Sequence, residues 1–483
     1  MRIGGLATGM NVDEMIEKMM TAERLPLDRM QQDRTTLEWK RDGFRDINKT
    51  LLEMKNMMLD MKLSKTYQSK SVASSMEGAV TASATSSAVD GAYKIKVNEL
   101  ATSAMNVGTE KVDIDKALEQ QTVSFTTFDK DGNAIEHDIE VEDGQTIKDV
   151  LKKISSADNN VRAFYDQETG KVIMETTRTG NYNASGEEIV FSNNSFFTNE
   201  LGMVQENEIG GTDASFVYND GLELTSKNNS YTLNNITFNF HGTTNGESAT
   251  LNVVNDTEAS FDKIMAFVDK YNEVVEAMNS SQREEKYRDF KPLTEAQKKE
   301  MSEREIELWE EKAKSGLLRG ETSISNGLYS MRNSWYSTVD TGGEISSLTQ
   351  IGIKTSASYM DGGKLIVDED KLRSALNEDP EGVKNLFSNN SKDDSRGLIN
   401  RLEDSLTSTM DSIKDRAGNS TSPSLDNYTL GKRMKELNNR ISDFENRLIK
   451  VENRYWNQFT AMEKAIQKMN QQSEYMMSQF GQM

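Results

Sequence analysis

The sequence predicts a multidomain α+β protein, in which paired N- and C-terminal coiled-coil legs flank a helical inner domain and inserted β-rich tip domains. Three observations support this prediction. The C-terminal stretch carries one continuous apolar seam, the N-terminal stretch is also amphipathic, and the middle alternates short apolar strands with Asn/Asp/Gly turns. A chain of 483 residues is also too long for a single core.

The C-terminal segment has the clearest periodicity in the chain. Charged residues alternate there with a heptad seam, which has one extra four-residue step before Phe459. The seam consists of Met434, Leu437, Ile441, Phe444, Leu448, Val451, Tyr455, Phe459, Met462, Ile466, Met469, Met476 and Phe480, with the polar Ser473 at one position. Since a helix with one apolar seam cannot bury it alone, a partner helix is predicted.

The N-terminal segment is the predicted partner. Asn11 is a favourable N-cap, and Asp13 and Glu14 follow in the first turn, where the helix dipole favours negative charge. Pro26 is expected to kink or restart the helix because it lacks an amide donor. The apolar face begins with Val12, Met15, Ile16 and Met19. The pattern leaves open whether the two ends form an ordinary intramolecular pair or an assembly interface.

Composition argues against several function classes. Lys and Arg number 57 and Asp and Glu 78, and the net charge of −21 argues against binding nucleic acid or an anionic membrane. Neither a membrane-spanning apolar run nor a cleavable signal peptide is predicted, so membrane insertion is not expected. Cysteine is absent and only His137 and His241 are present. An enzyme, a cofactor and a metal site are therefore not predicted.

The predicted domains are nested. A leg domain is expected from residues 1–45 with 432–483, and a helix-rich inner domain from residues 46–84 with 256–431. Residues 85–255 are expected to form β-rich head domains, with a second lobe within about 115–210, because short strands there alternate with turns.

Two polar features of the head are candidate sites. The segment from Asp129 to Asn133 is similar to a calcium loop but lacks the spacing and closing Glu of an EF-hand, so a hairpin turn is predicted. His137 is in phase with the apolar face of the following strand. This position predicts a half-buried, hydrogen-bonded histidine instead of a catalytic base.

A set of short motifs runs in one order through most of the chain. The motifs are Gly5 to Asp13, Leu25-Pro26-Leu27, Tyr93 to Ala101, Phe267 to Glu273, Lys291 to Thr294, Ile351-Gly352-Ile353, Gly363-Lys364-Leu365 and Val383 to Phe387. Together they resemble the bacterial flagellar filament-capping family, FliD or hook-associated protein 2. Asn11 stands where the family more often has Asp, and residues 107–212 match least.

The resemblance implies a structural function. Family members form a ring at the distal tip of the filament, by resemblance a pentamer, and promote ordered flagellin folding and polymerisation beneath it. The implied partners are further copies of the chain, flagellin, the hook-filament junction protein, the flagellar type III export apparatus and a secretion chaperone. The implied location is extracellular, at the flagellum tip.

The residues expected to form the leg interfaces belong to the two seams. They are Ile3, Leu6, Val12, Met15, Ile16, Met19, Phe459, Met462, Ile466, Met469, Met476 and Phe480. Two alternatives remain. A hook-filament junction protein or a flagellin-like filament component would share the terminal helices but lack the central motifs. A surface adhesin would bind host glycans through the head, although residues 85–255 contain no Trp to serve as a stacking platform.

Overall fold

The computed structural model describes residues 11–192, 194–419, 421 and 424–480. The predicted fold class is confirmed, since long helices occupy both ends of the chain and β-sheets lie between them. Contacts divide the chain into two compact units. The helical unit comprises the chain up to Thr66 and from Phe261 onward, and the β-rich unit is Tyr67–Ser260.

The chain begins with α1 (Val12–Met61) and the short α2 (Ser64–Tyr67). Asn11 caps α1 as predicted, because its side chain accepts a hydrogen bond from the Glu14 amide at 3.2 Å. The helix continues through Pro26 and does not restart there, and the alternative expectation, a kink, stays a prediction. A proline inside a helix costs about 3 kcal/mol. Burial of the apolar face of α1 along much of its length offsets this cost.

Among its described residues the β-rich unit contains fourteen strands and, between them, two short α-helices and a 3-10 helix (Gln205–Asn207). The strands are β1 (Lys70–Ser74), β2 (Val80–Ala84), β3 (Gly91–Glu99), β4 (Met105–Val107), β5 (Gln121–Phe128), β6 (Ala134–Val141), β7 (Val161–Asp166), β8 (Lys171–Thr176), β9 (Val190–Phe191), β10 (Ala214–Tyr218), β11 (Leu222–Ser226), β12 (Ser230–Leu233), β13 (Ile236–Phe240) and β14 (Ala249–Asn255). The helices are α3 (Ile147–Ser156) and α4 (Asn194–Asn199).

One part of this unit packs a five-stranded sheet, in the order β1-β14-β3-β10-β11, with a three-stranded sheet, β12-β13-β2. Alternate residues of β3, Tyr93, Ile95 and Val97, point into the shared core, as their spacing predicts. β1 pairs with β14 and β2 pairs with β13. Strand pairing therefore begins ahead of residue 85, in a stretch that the sequence grouped with the helical inner domain.

The other part has its own core between Val112 and Met203, formed by the sheets β4-β8-β7 and β6-β5-β9 with α3. β5 and β6 form the predicted hairpin, in a register that pairs Phe128 with Ala134 beside the turn. Thr146 and Asp149 form a capping box at the start of α3. This lobe carries its own apolar core although its sequence matches the capping family least.

The rest of the helical unit follows the β-rich unit. Its elements are α5 (Thr257–Arg283), α6 (Glu295–Lys299), α7 (Glu303–Lys314), α8 (Thr322–Ser334), the hairpin β15 (Ile353–Thr355) and β16 (Leu365–Val367), α9 (Glu369–Glu378), α10 (Pro380–Ser388), α11 (Leu398–Ala417) and α12 (Thr429–Phe480). The charged stretch after Arg283 forms two short helices, as its composition suggests. The finer division of this unit into leg and inner domains stays a prediction.

Candidate functional site: the paired terminal helices

The two terminal helices pair antiparallel. The Tyr455 hydroxyl donates a hydrogen bond to Glu23 at 2.9 Å, while the Arg45 guanidinium lies 5.6 Å from the ring centre of Tyr428. The start of α1 therefore lies beside the middle of α12, and the middle of α1 beside the start of α12. The predicted pairing of the chain ends is confirmed within the described residues.

The contact between these helices is an apolar cluster. Val12, Ile16 and Met20 of α1 and Leu448 and Val451 of α12 are buried in it. The partly buried residues around it are Leu27, Phe444, Tyr455, Trp456 and Phe459. The cluster joins segments more than 400 positions apart, so it fixes the register of α12 on α1.

Farther along α1, the partner changes from α12 to α11. Phe44, Leu51 and Met54 of α1 are fully buried. Two polar contacts also join this part of the chain to α11. The Arg45 Nε atom donates to the Ala417 carbonyl at 3.1 Å, and the Lys62 ammonium pairs with Glu403 at 2.5 Å. Two helices in succession thus cover the apolar face of α1.

The interface residues predicted on α1 divide into two groups. Val12 and Ile16 are buried, whereas the side chains of Met15 and Met19 are 40% and 38% exposed. Met20 is buried and was missed by sequence reasoning. The buried stripe follows steps of four residues, and that spacing was the available signal for Met20. The predicted Ile3 and Leu6 lie outside the described residues.

The predicted residues on α12 become more exposed toward its C-terminal end. Phe459 packs against the cluster, and Met462 and Ile466 are half-buried. Met469 and Met476 are 66% and 58% exposed. The side chain of Phe480 lies outside the described residues. Trp456, which packs beside the cluster, was not predicted, because its position lies next to the heptad seam and not on it.

We call the seam from Met434 to Phe459 the proximal seam and the seam from Met462 to Met476 the distal seam. Met434, Leu437, Ile441, Leu448 and Val451 of the proximal seam are all buried. The exposed apolar surface of the distal seam is extended by Tyr475 and Met477, which are also exposed. One apolar repeat therefore has a covered half and an open half.

Ion pairs surround the apolar contacts of the helical unit. The Lys270 ammonium donates to Glu53 at 2.7 Å, and this hydrogen bond lowers the pKa of the Glu53 carboxyl. Lys435 donates to Asp426 at 2.8 Å, and that contact lowers the pKa of Asp426. Both carboxylates are exposed, so each ion pair orients its two side chains but adds little to the stability of the fold.

The polar features of the head are structural. Asp129 accepts hydrogen bonds from the side chain and the amide of Asn133, both at 2.9 Å, which lower its pKa and close the predicted turn. The His137 Nε2 atom lies 2.8 Å from the Thr127 hydroxyl, and partial burial lowers the pKa of the imidazole. The predicted half-buried, hydrogen-bonded histidine is therefore confirmed.

A buried carboxylate network that the sequence did not predict holds the 182–189 loop. Glu208 accepts hydrogen bonds from the amides of Glu188 and Ile189 at 2.6 and 3.1 Å. The buried Glu188 accepts one from the Asn183 amide at 2.7 Å. Burial raises the pKa of Glu208 to about 7, although the amide donors oppose this shift.

Neither a metal site nor a membrane span is found in the part of the chain that the structure describes. In that part, His, Cys, Asp and Glu form no group of three or more that could hold a metal ion. None of its helices has the length and apolar character needed to cross a membrane.

Comparison with known proteins agrees with this architecture. The chain matches the family models for the flagellar hook-associated protein 2 N-terminus over residues 8–104 and C-terminus over residues 211–471. It is 37% identical to a flagellar hook-associated protein 2 of Halalkalibacterium halodurans, over 98% of both chains. It is 24% identical to an A-type flagellar hook-associated protein 2 of Pseudomonas aeruginosa, over 98% of this chain and 95% of that protein.

The fold agrees with a solved structure as well. The crystal structure of the D1-D2-D3 domains of the flagellar cap protein FliD from Escherichia coli superposes with a TM-score of 0.57 at 19% identity, covering 79% of this chain and 97% of that one. The two family models together span more than half of the sequence and include α1 and most of α12. The chain therefore belongs to the flagellar hook-associated protein 2 (FliD) family, whose members cap the flagellar filament at its tip.

Proposed function

We propose that the chain is a non-enzymatic cap that self-associates into a ring, by family resemblance a pentamer, and promotes ordered folding and polymerisation of flagellin beneath it. The observation that carries this proposal is the divided seam of α12. The proximal seam is covered by α1, and the distal seam exposes Met469 and Met476. A cap needs such a division, because its legs must hold together and also engage other subunits.

The chemistry of the distal seam suits a helical partner. Its exposed apolar residues recur at helical spacing, and burying such a stripe is favourable when a second helix covers it. Methionine side chains adapt to more than one neighbour because they are flexible and polarisable. The occupants that family membership favours are flagellin, the hook-filament junction protein and further copies of this chain.

The route to the filament tip is part of the same proposal. Family membership supports export by the flagellar type III apparatus with the help of a secretion chaperone, followed by assembly outside the cell. A distal seam held by a chaperone before export and by filament subunits afterwards would be covered at each stage. This use of one surface by successive partners also suits a methionine-rich helix.

The test compares the full chain with a variant that ends at residue 459, in cells that lack their own copy of the gene. The full chain is expected to restore filament growth and motility, and the shortened chain to restore neither. Light scattering of the purified chains at several concentrations gives the mass of any assembly. Normal filaments from the shortened chain would contradict the proposed role of the distal seam. A full chain that leaves cells without filaments would contradict the capping function.

A further inference from the structure

Four arginines recur at intervals of seven residues along α12: Arg433, Arg440, Arg447 and Arg454. Seven residues make nearly two helical turns, so these side chains leave one side of the helix at steps of about 10.5 Å. All four are exposed. We call them the arginine ladder.

The arginine ladder has no anionic partner among the residues that the structure describes. Arg447 lies 5.8 Å from the ring centre of Phe444, and Arg454 lies 5.4 Å from that of Tyr455. These contacts orient two guanidinium groups without neutralising them. In a chain with a net charge of −21, a row of exposed arginines that form no ion pair with a described residue is a surface suited to binding carboxylates.

The helix α5 carries a matching row of acids. Asp262, Asp269 and Glu276 also recur at intervals of seven residues, and all three are exposed. Glu276 pairs with Lys364, whereas Asp262 and Asp269 form no ion pair with any described residue. We call these residues the carboxylate ladder, and its axial step equals that of the arginine ladder.

The two ladders are far apart within one chain. Leu448, next to Arg447, packs with Ile16 at the start of α1. Lys270, next to Asp269, bonds Glu53 near the other end of α1. The stretch of α1 from Ile16 to Glu53 is about 55 Å long. The centre of the arginine ladder therefore cannot reach the centre of the carboxylate ladder of its own chain.

We propose that the arginine ladder binds the carboxylate ladder on α5 of a second copy of this chain. This inference rests on the self-association proposed above and identifies the surfaces that meet. Equal spacing allows two or three arginine–carboxylate pairs to form at once, and guanidinium groups bind carboxylates through two parallel hydrogen bonds. Single exposed pairs contribute little, but a row of them sets partner choice and register.

The test uses charge reversal in the full chain. The variants are Arg440→Glu with Arg447→Glu, Asp262→Arg with Asp269→Arg, and the combination of all four, which keeps the native net charge. Each double variant places like charges opposite one another and is expected to raise the dissociation constant of self-association by about 100-fold. The fourfold variant is expected to associate as the native chain does. An equimolar mixture of the two double variants is expected to regain contacts between unlike variants, with one repulsive contact left in a ring that has an odd number of subunits.

The control is Lys49→Glu with Lys414→Glu, which changes the net charge equally at exposed positions of α1 and α11 and is expected to leave association unchanged. Sedimentation at several concentrations measures association, and circular dichroism checks the fold of each variant. A misfolded chain would not be rescued by mixing, so the mixture separates lost contact from lost structure.

Three other outcomes would contradict the proposed contact in different ways. If the arginine variant associates like the native chain, the ladder is not a contact, while self-association itself stands. If charge reversal at Asp404 and Asp411, which are exposed on α11, restores the association of the arginine variant, the assignment to α5 is wrong. If the native chain stays monomeric at every concentration, both this inference and the proposed self-association fail.

Discussion

The proximal and distal seams of α12 follow the same apolar repeat but differ in what covers them. The proximal seam meets α1 in a cluster with Val12, Ile16 and Met20. The distal seam leaves Met469 and Met476 mostly exposed. A heptad repeat therefore predicts that a helix has a partner without identifying that partner. Substitutions in the two seams should therefore affect different properties, stability in one case and assembly in the other.

The largest effect is expected where the seam is covered. Ile16→Ala with Leu448→Ala removes two buried side chains from the cluster and should lower the stability of the helix pair by about 4 kcal/mol. Hydrogen exchange of the α1 and α12 amides reports this local opening. The matched control, Met15→Ala with Met19→Ala, truncates exposed neighbours and should change stability by less than about 0.5 kcal/mol. Equal effects of the two variants would contradict the observed packing.

A gain in stability of the same pair is expected from Pro26→Ala. Because α1 runs through Pro26, alanine restores a helical amide and removes the steric clash. The expected gain is about 1–2 kcal/mol, less than the full proline penalty because the helix has adapted to the ring and alanine frees the unfolded chain. Thermal unfolding and hydrogen exchange measure it, with the exposed Arg29→Ala as control. A loss of stability would mean that the proline serves a bend needed for packing.

The dependence of stability on pH distinguishes the carboxylate network of the head from the apolar contacts of the helix pair. Burial raises the pKa of Glu208 from 4.5 to about 7, so the folded chain holds this proton over a range where the unfolded chain has lost it. The stabilisation is full below pH 4.5 and is lost as the pH rises through 7, a change of about 1 kcal/mol after allowance for solvent screening.

Hydrogen exchange of the 182–189 loop at pH 5 and pH 8 measures that change. Glu208→Gln should remove the difference between the two pH values, whereas Glu206→Gln, an exposed neighbour, should preserve it. The amides of the α1–α12 cluster should show no such dependence once intrinsic exchange is corrected for. A pH response that survives Glu208→Gln would assign the effect to another group.

The amount that the sequence predicts differs between these regions for physical reasons. Heptad spacing identified the terminal helices and most of the proximal seam, because burial of a helix face repeats at a fixed interval. It placed Met19 on the stripe in place of Met20, because a stripe in steps of three and four passes close to both, whereas the buried residues Val12, Ile16 and Met20 follow steps of four. β9 has two residues, too few to show an alternating pattern. The Glu188–Glu208 network joins residues twenty positions apart through backbone amides, and such contacts leave no local signal.

The smallest effect on the free chain, and the sharpest contrast with the proximal seam, is expected in the distal seam. Met469→Ser with Met476→Ser alters side chains that already face solvent, so stability should change by less than about 0.5 kcal/mol. Filament growth should nevertheless be lost, because a partner helix would meet hydroxyl groups where it needs an apolar stripe. The control Gln467→Ser with Gln471→Ser lies on the opposite side of the helix and should support normal growth. If the methionine variant is destabilised, the distal seam is already covered within the subunit. If it is stable and supports normal filaments, the distal methionines do not bind a partner helix.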